Sequence, residues 1–239
     1  LAKTMENMTF INCSANNGGS IYFAFAINNL NMTNMRSINS SASSNGGMFY
    51  FASDVTNTYI NNIVSTNTSA VNGGSIYVYG NAKGLTITKV NFTNSSATDG
   101  GVIYLAGSSS TELTITNDIF NNYMGTNDGG AIYIASCGNL NVNMNNVTFT
   151  HDTTPKTAGN GGILYIGKAN KINITDVNLT STYITSSIRN GGSVYIGGAT
   201  NDVYFTNVIF MNSTLAGSNS KGGALYLGSI KNVFFNNVA

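Results

Sequence analysis

Gly100-Gly101-Val102-Ile103-Tyr104-Leu105 and Gly129-Gly130-Ala131-Ile132-Tyr133-Ile134 are two of eight copies of one hexapeptide, Gly-Gly-x-[aliphatic or Phe]-Tyr-[aliphatic or Phe]. The other pairs are Gly18-Gly19, Gly46-Gly47, Gly73-Gly74, Gly161-Gly162, Gly191-Gly192 and Gly222-Gly223, and successive spacings are 28, 27, 27, 29, 32, 30 and 31 residues. A period near thirty that drifts by a few residues is what a solenoid with variable loops produces, each coil being one unit stacked on the last. The residues flanking the Tyr are apolar in every copy, from Ile21 and Phe23 to Leu225 and Leu227. Alternation on a strand turns those inward and the Tyr between them outward. Tyr22, Tyr50, Tyr77, Tyr104, Tyr133, Tyr165, Tyr195 and Tyr226 therefore form an expected outward ladder: a sugar-stacking platform, a contact stripe, or rings that merely pack on each other and on the small residues beside them.

About ten residues further on, Leu85-Thr86-Ile87-Thr88, Leu113-Thr114-Ile115-Thr116, Ile172-Asn173-Ile174-Thr175 and Val203-Tyr204-Phe205-Thr206 alternate as a second strand. A third follows with Val90 and Phe92, Val177 and Leu179, or Val208 and Phe210 facing the core. Three short strands per coil, β-branched and aromatic residues, one proline and no helical periodicity predict an all-β fold. The expected architecture is a right-handed single-stranded parallel β-helix of about nine coils of roughly 27–32 residues, one continuous body over residues 1–239.

The corners have their own chemistry. Asn17, Asn45, Asn72, Asp99, Asp128, Asn160, Asn190 and Lys221 precede the Gly pairs, and Asn and Asp tolerate left-handed backbone and bond to their own turn. After the third strand, Asn12, Asn94, Asn122 and Asn212 are expected to stack as an amide ladder, with His151 a variant of that slot. Pro155 falls in the longer loop from His151 to Gly159. The chain opens halfway through a coil, at Met8 and Phe10, and closes on Val238 with no polar capping repeat, as a segment of a longer protein would.

Charged residues make up 8% of the chain and the formal net charge is +1, whereas Asn fills 39 positions and Ser with Thr another 52. Such a chain is polar without being charged, and at 42% hydrophobic it can form a core. Ten scattered Lys and Arg among nine acids make no basic stripe for nucleic acid. No apolar run is long enough to span a membrane, and no secretion signal opens the segment. Cys13 and Cys137 lie roughly four coils, or about 19 Å, apart, too far to pair with each other.

Phe92-Thr-Asn-Ser-Ser-Ala-Thr-Asp-Gly-Gly-Val-Ile-Tyr-Leu105 and Phe10-Ile-Asn-Cys-Ser-Ala-Asn-Asn-Gly-Gly-Ser-Ile-Tyr-Phe23 resemble the repeat of the polymorphic outer membrane proteins, which alternates GGA[ILV] with FxxN on a pectin-lyase-like right-handed β-helix. Here Asn follows Phe by two positions, and only Ala131 and Ala224 directly follow a Gly pair. The resemblance implies a secreted or surface-displayed adhesive passenger.

Three functional classes follow. An extracellular structural or adhesive protein (filament, coat or passenger) would use the neutral outer faces for self-association, for contact with neighbouring coils of a longer chain, or for glycans. Its N-x-[ST] sequons, candidate glycosylation sites, begin at Asn7, Asn12, Asn31, Asn39, Asn67, Asn91, Asn94, Asn146, Asn173, Asn178 and Asn212. A polysaccharide lyase or hydrolase needs clustered carboxylates, and only Asp99 and Asp128 fall at equivalent places in adjacent coils, with neither Arg36 nor Arg189 in those coils. Ice binding would need regular Thr-x-Thr faces, present at Thr86/Thr88 and Thr114/Thr116 but interrupted elsewhere. Non-catalytic, with no metal and no cofactor, is the expectation.

Overall fold

Each hexapeptide forms a short strand, and these strands stack in parallel with every Tyr in register with the next. The computed structural model describes residues 3–150, 159–184, 189–198 and 200–239, and shows a parallel β-solenoid. The Tyr-bearing sheet has eight strands, from Ile21–Phe23 to Leu225–Leu227. A second, longer sheet follows a path of nine strands, so about eight turns lie between its first and last rungs. His151 and Pro155 fall outside the described residues.

The second and third strands expected from sequence run together in most coils as one bent strand, such as Leu30–Ile38, Val55–Thr66, Glu112–Asn121 and Asn141–Thr150. One residue in left-handed conformation makes the bend: Asn34, Asn62, Asn117, Asn146, Asp176 and Asn207 all have φ between 52° and 59°. Inserting that residue shifts the inward pattern by one place. Core positions two apart within each limb are therefore three apart across the bend, as from Ile87 to Val90. A fourth short stretch also pairs from coil to coil in the first half of the chain, Ser14–Asn17 on Ser41–Asn45 and Ser96–Ala97 on Met124–Gly125.

Between the sheets the inward side chains stack like on like. Phe23 lies on Phe51 at 4.6 Å, and Phe120 lies between Phe92 and Phe149 at 5.9 and 4.9 Å. Each fully buried aliphatic or aromatic side chain contributes roughly 1.5–3 kcal/mol of hydrophobic stabilisation. Buried hydroxyls are satisfied by one another, as in the cluster of Thr68, Ser75 and Ser95 with bonds of 2.7–3.0 Å. Charge contributes little: among the described residues the one ion pair is Lys83 with Asp54, at 2.6 Å.

The Gly pairs do the work that sequence assigned to the residues before them. In Gly73-Gly74, Gly73 holds φ +60°, and a Cβ on Gly74 would collide with the carbonyl oxygen of Gly101 in the next coil. The preceding Asn and Asp are not left-handed. Their side chains reach across coils rather than into their own turn: Asn45 donates to Asn17 at 3.1 Å and Asn72 donates to Asn45 at 2.9 Å. With glycine able to take the left-handed place at no steric cost, the amide beside it is free to tie adjacent coils.

Candidate functional site

The eight Tyr rings form one uninterrupted stack. Successive centroids are 4.4–5.2 Å apart and interplanar angles are at most 22°. Exposure falls from 51% at Tyr22 to 8% at Tyr77, and the remaining rings are partly buried. The residue two places beyond the Tyr, next on the same face, is Ala or Gly in seven coils (for example Ala52, Ala106 and Gly197) and Tyr79 in the eighth. A Cβ on Gly197 would run into the ring of Tyr195, so small residues here let the rings lie over the strand. Burial raises the hydroxyl pKa of Tyr77 to about 12 and pushes those of Tyr104, Tyr133 and Tyr165 upward, neighbouring phenols adding to the effect. The stripe is thus a neutral, amphipathic surface, apolar across the ring edges and hydrogen-bonding along its hydroxyl rim.

Seven of the eleven sequons lie at left-handed corners: Asn7, Asn12, Asn39, Asn67, Asn94, Asn146 and Asn212. One expected ladder is longer than sequence indicated, since Asn39 and Asn67 join it: Asn39 donates to Asn12, Asn67 to Asn39, Asn94 to Asn67 and Asn122 to Asn94, at 2.5–3.1 Å. Asn212 shares the left-handed corner conformation. In Asn39, Asn67, Asn94, Asn146 and Asn173 the amide nitrogen that would carry a sugar already donates to the coil below. A glycan there would have to break a rung. Asn31 and Asn91 are exposed on the outer face of the long sheet, while Asn178 is partly buried there.

Asp99 and Asp128 are engaged in the same way. One oxygen of Asp99 accepts from the Asn127 amide at 2.9 Å and the Asp128 backbone N–H at 2.8 Å; Asp128 accepts from the Asn160 backbone N–H at 2.6 Å. Burial, with a smaller push from Asp99, raises the pKa of Asp128. Among the described residues no group of three or more His, Cys, Asp or Glu could hold a metal ion. Cys13 and Cys137 are both free, and the buried Cys137 thiol donates to the Ser110 carbonyl at 3.0 Å. The Thr faces at Thr86/Thr88 and Thr114/Thr116 stack in register over two coils, between Tyr59/Asn61 and Asn143/Asn145.

Two features of the long sheet escaped the sequence reading. Asp118 is 1% exposed at an inward place, in register with Val147. Its Oδ1 accepts the Val90 N–H at 2.8 Å, its Oδ2 has no partner among the described residues, and burial raises its pKa to about 8. The second is a shallow groove of about 880 Å³ across neighbouring coils, lined by Asn29, Leu30, Asn31, Asn57, Tyr59, Asn61, Thr88 and Lys89. Aligning coils on the three-residue step across the bend exposes both, because Asp118 then falls in a column of Met, Ile and Val and Lys89 in a column of Asn and Asp.

No protein-family model matches this chain, and neither a curated protein nor a solved structure matches it. Among the described residues no helix is long and apolar enough to cross a membrane.

Proposed function

We propose that this β-solenoid is an extracellular or cell-surface structural or adhesive protein, acting as a filament, coat or displayed passenger rather than as a catalyst. The observation that carries the reading is the unbroken stack of eight Tyr rings along one sheet. A stripe of that kind offers many weak, repeated contacts to another flat surface, which suits lateral association or binding of sugar chains. Asp99 and Asp128 support the non-catalytic reading, because each is committed to hydrogen bonds between coils. The Gly-Gly and Phe-x-Asn pattern supports a passenger of the polymorphic outer membrane protein kind.

Electron microscopy of the protein in its native source tests the proposal. Fibres with an axial repeat near 4.8 Å, or rods projecting from a cell surface, are the expected results. Dispersed monomers that neither self-associate nor bind cells would sink it. A second reading, a carbohydrate-binding or polysaccharide-degrading protein, is favoured by the groove beside Tyr59. Release of reducing ends or unsaturated products from polysaccharides, abolished by Asp99→Ala or Asp128→Ala, would make the protein an enzyme.

A further inference from the structure

We infer that the groove between Tyr59 and Lys89 binds a short run of an acidic carbohydrate chain, an assignment that rests on the adhesive reading above and gives it a ligand class. Lys89 is the first reason. At the bend of the long sheet the other eight rungs place Asn or Asp, from Asn7 to Asn237, and Lys89 alone holds the same left-handed conformation (φ 54°) with a long side chain. That conformation is strained for an ordinary residue, whereas Asn and Asp adopt it readily. Lys89 also leaves a gap in the corner ladder. Asn62 donates down to Asn34 and Asn146 down to Asn117, and among the described residues no side-chain rung forms at Lys89 between them. A residue unfavourable to the fold on both counts points to a role for its ammonium group. Lys89 is exposed and forms no ion pair among the described residues.

The rest of the groove supplies what such a ligand requires. Tyr59 is 52% exposed and lies outside the Tyr stack; its neighbours in register are Asn31 and Thr86, so no ring covers it from either adjacent coil. Asn61, also in the lining, donates only weakly to Thr33, at 3.4 Å. Asn31, Asn57 and Thr88 add amide and hydroxyl groups, and no carboxylate lines the groove to compete for Lys89. A pyranose has an apolar C–H face to lie on a phenol ring and hydroxyls for amides, while a uronate carboxylate or a sulfate would meet the ammonium. Nucleic acid would need several cations where this groove has one.

The test is fluorescence anisotropy on the full chain with labelled oligogalacturonate, chondroitin sulfate hexasaccharide and sialyllactose, and maltohexaose as the neutral probe. At least one acidic probe should bind, about tenfold or more tighter than maltohexaose, and more weakly as salt is raised. Lys89→Asn restores the residue type of the other corners and should keep the fold by circular dichroism. It should lower acidic-probe affinity about tenfold and flatten its salt dependence. Tyr59→Ser should weaken acidic and neutral probes alike. Unchanged affinity in Lys89→Asn, or no preference for acidic probes, overturns the assignment. Binding that survives both variants and disappears in Tyr133→Ala also overturns it, yet leaves the adhesive reading standing. A chain that binds no probe, no cell and no second copy defeats both.

Discussion

On the short sheet every rung carries the same outward residue, and the seven ring separations stay between 4.4 and 5.2 Å. On the long sheet the inward columns and the Asn and Asp of the bend repeat, but the outward face does not. Its outward column in register runs Thr4, Asn31, Tyr59, Thr86, Thr114, Asn143, Asn173, Tyr204 and Phe234. The difference lies in how neighbours depend on one another. A stacked ring is stabilised by rings above and below it, so one foreign residue removes two contacts, whereas a partly exposed Thr or Asn on the long sheet makes at most a side-chain bond to an adjacent coil, as Asn173 does to Asn143. Two unusual charged residues, the buried Asp118 and the left-handed Lys89, stand on the long sheet.

The contrast is broken most severely at the turn that feeds the short sheet. Gly161 has φ +62° and its Cβ would collide with the Leu164 carbonyl, so Gly161→Val should cost more than about 4 kcal/mol in urea unfolding. Thr114→Val, on the outer face of the long sheet, should stay within about 0.5 kcal/mol.

Asp118 comes next. Its folded pKa of about 8 lies above the ordinary value of 3.8, so the folded state holds the proton more tightly than the unfolded chain does. Stability should therefore be greatest below pH 4, fall as pH rises from about 4 to about 8, and level off above that. Asp118→Asn should flatten this profile and be more stable than wild type at pH 8.5 by roughly 3 kcal/mol, measured by thermal melts across pH. A flat wild-type profile would show that Asp118 is solvated.

Smaller effects sharpen the comparison. Tyr133→Ala removes two stacking contacts and should cost about 2 kcal/mol, and Tyr22→Ala, with one described ring neighbour, about half as much. Equal losses at the two positions would argue against mutual support along the stack. Asn94→Ala loses rungs to Asn67 and Asn122 and places Ala in a left-handed corner; about 1–2 kcal/mol is expected from chemical denaturation.

Much of this was legible from residues alone. Gly pairs, flanking aliphatics and invariant Tyr carry the coil, the inward face and the ladder, because each is a strict local requirement repeated eight times. The bend was only half legible. The step of three from Ile87 to Val90 was visible, yet it read as a gap between strands, and only backbone geometry shows that Lys89 turns the chain within what is elsewhere one strand. Asp118 was missed because the helix-free alternation around it, Leu113, Ile115 and Phe120, skips its place unless adjacent coils are superposed on the bend. The groove depends on three coils at once, so no single stretch of chain carries its signature.

The scarcity of ion pairs among the described residues has a practical corollary. Coils joined by amides, hydroxyls, stacked rings and backbone bonds offer dissolved salt almost nothing to screen, so the rod should be as firm in brine as in fresh water. The single ammonium at the Tyr59 groove is fully subject to that screening. Ionic strength would then act on capture and release alone, a dial that loosens a charged ligand while the scaffold presenting it stays unchanged.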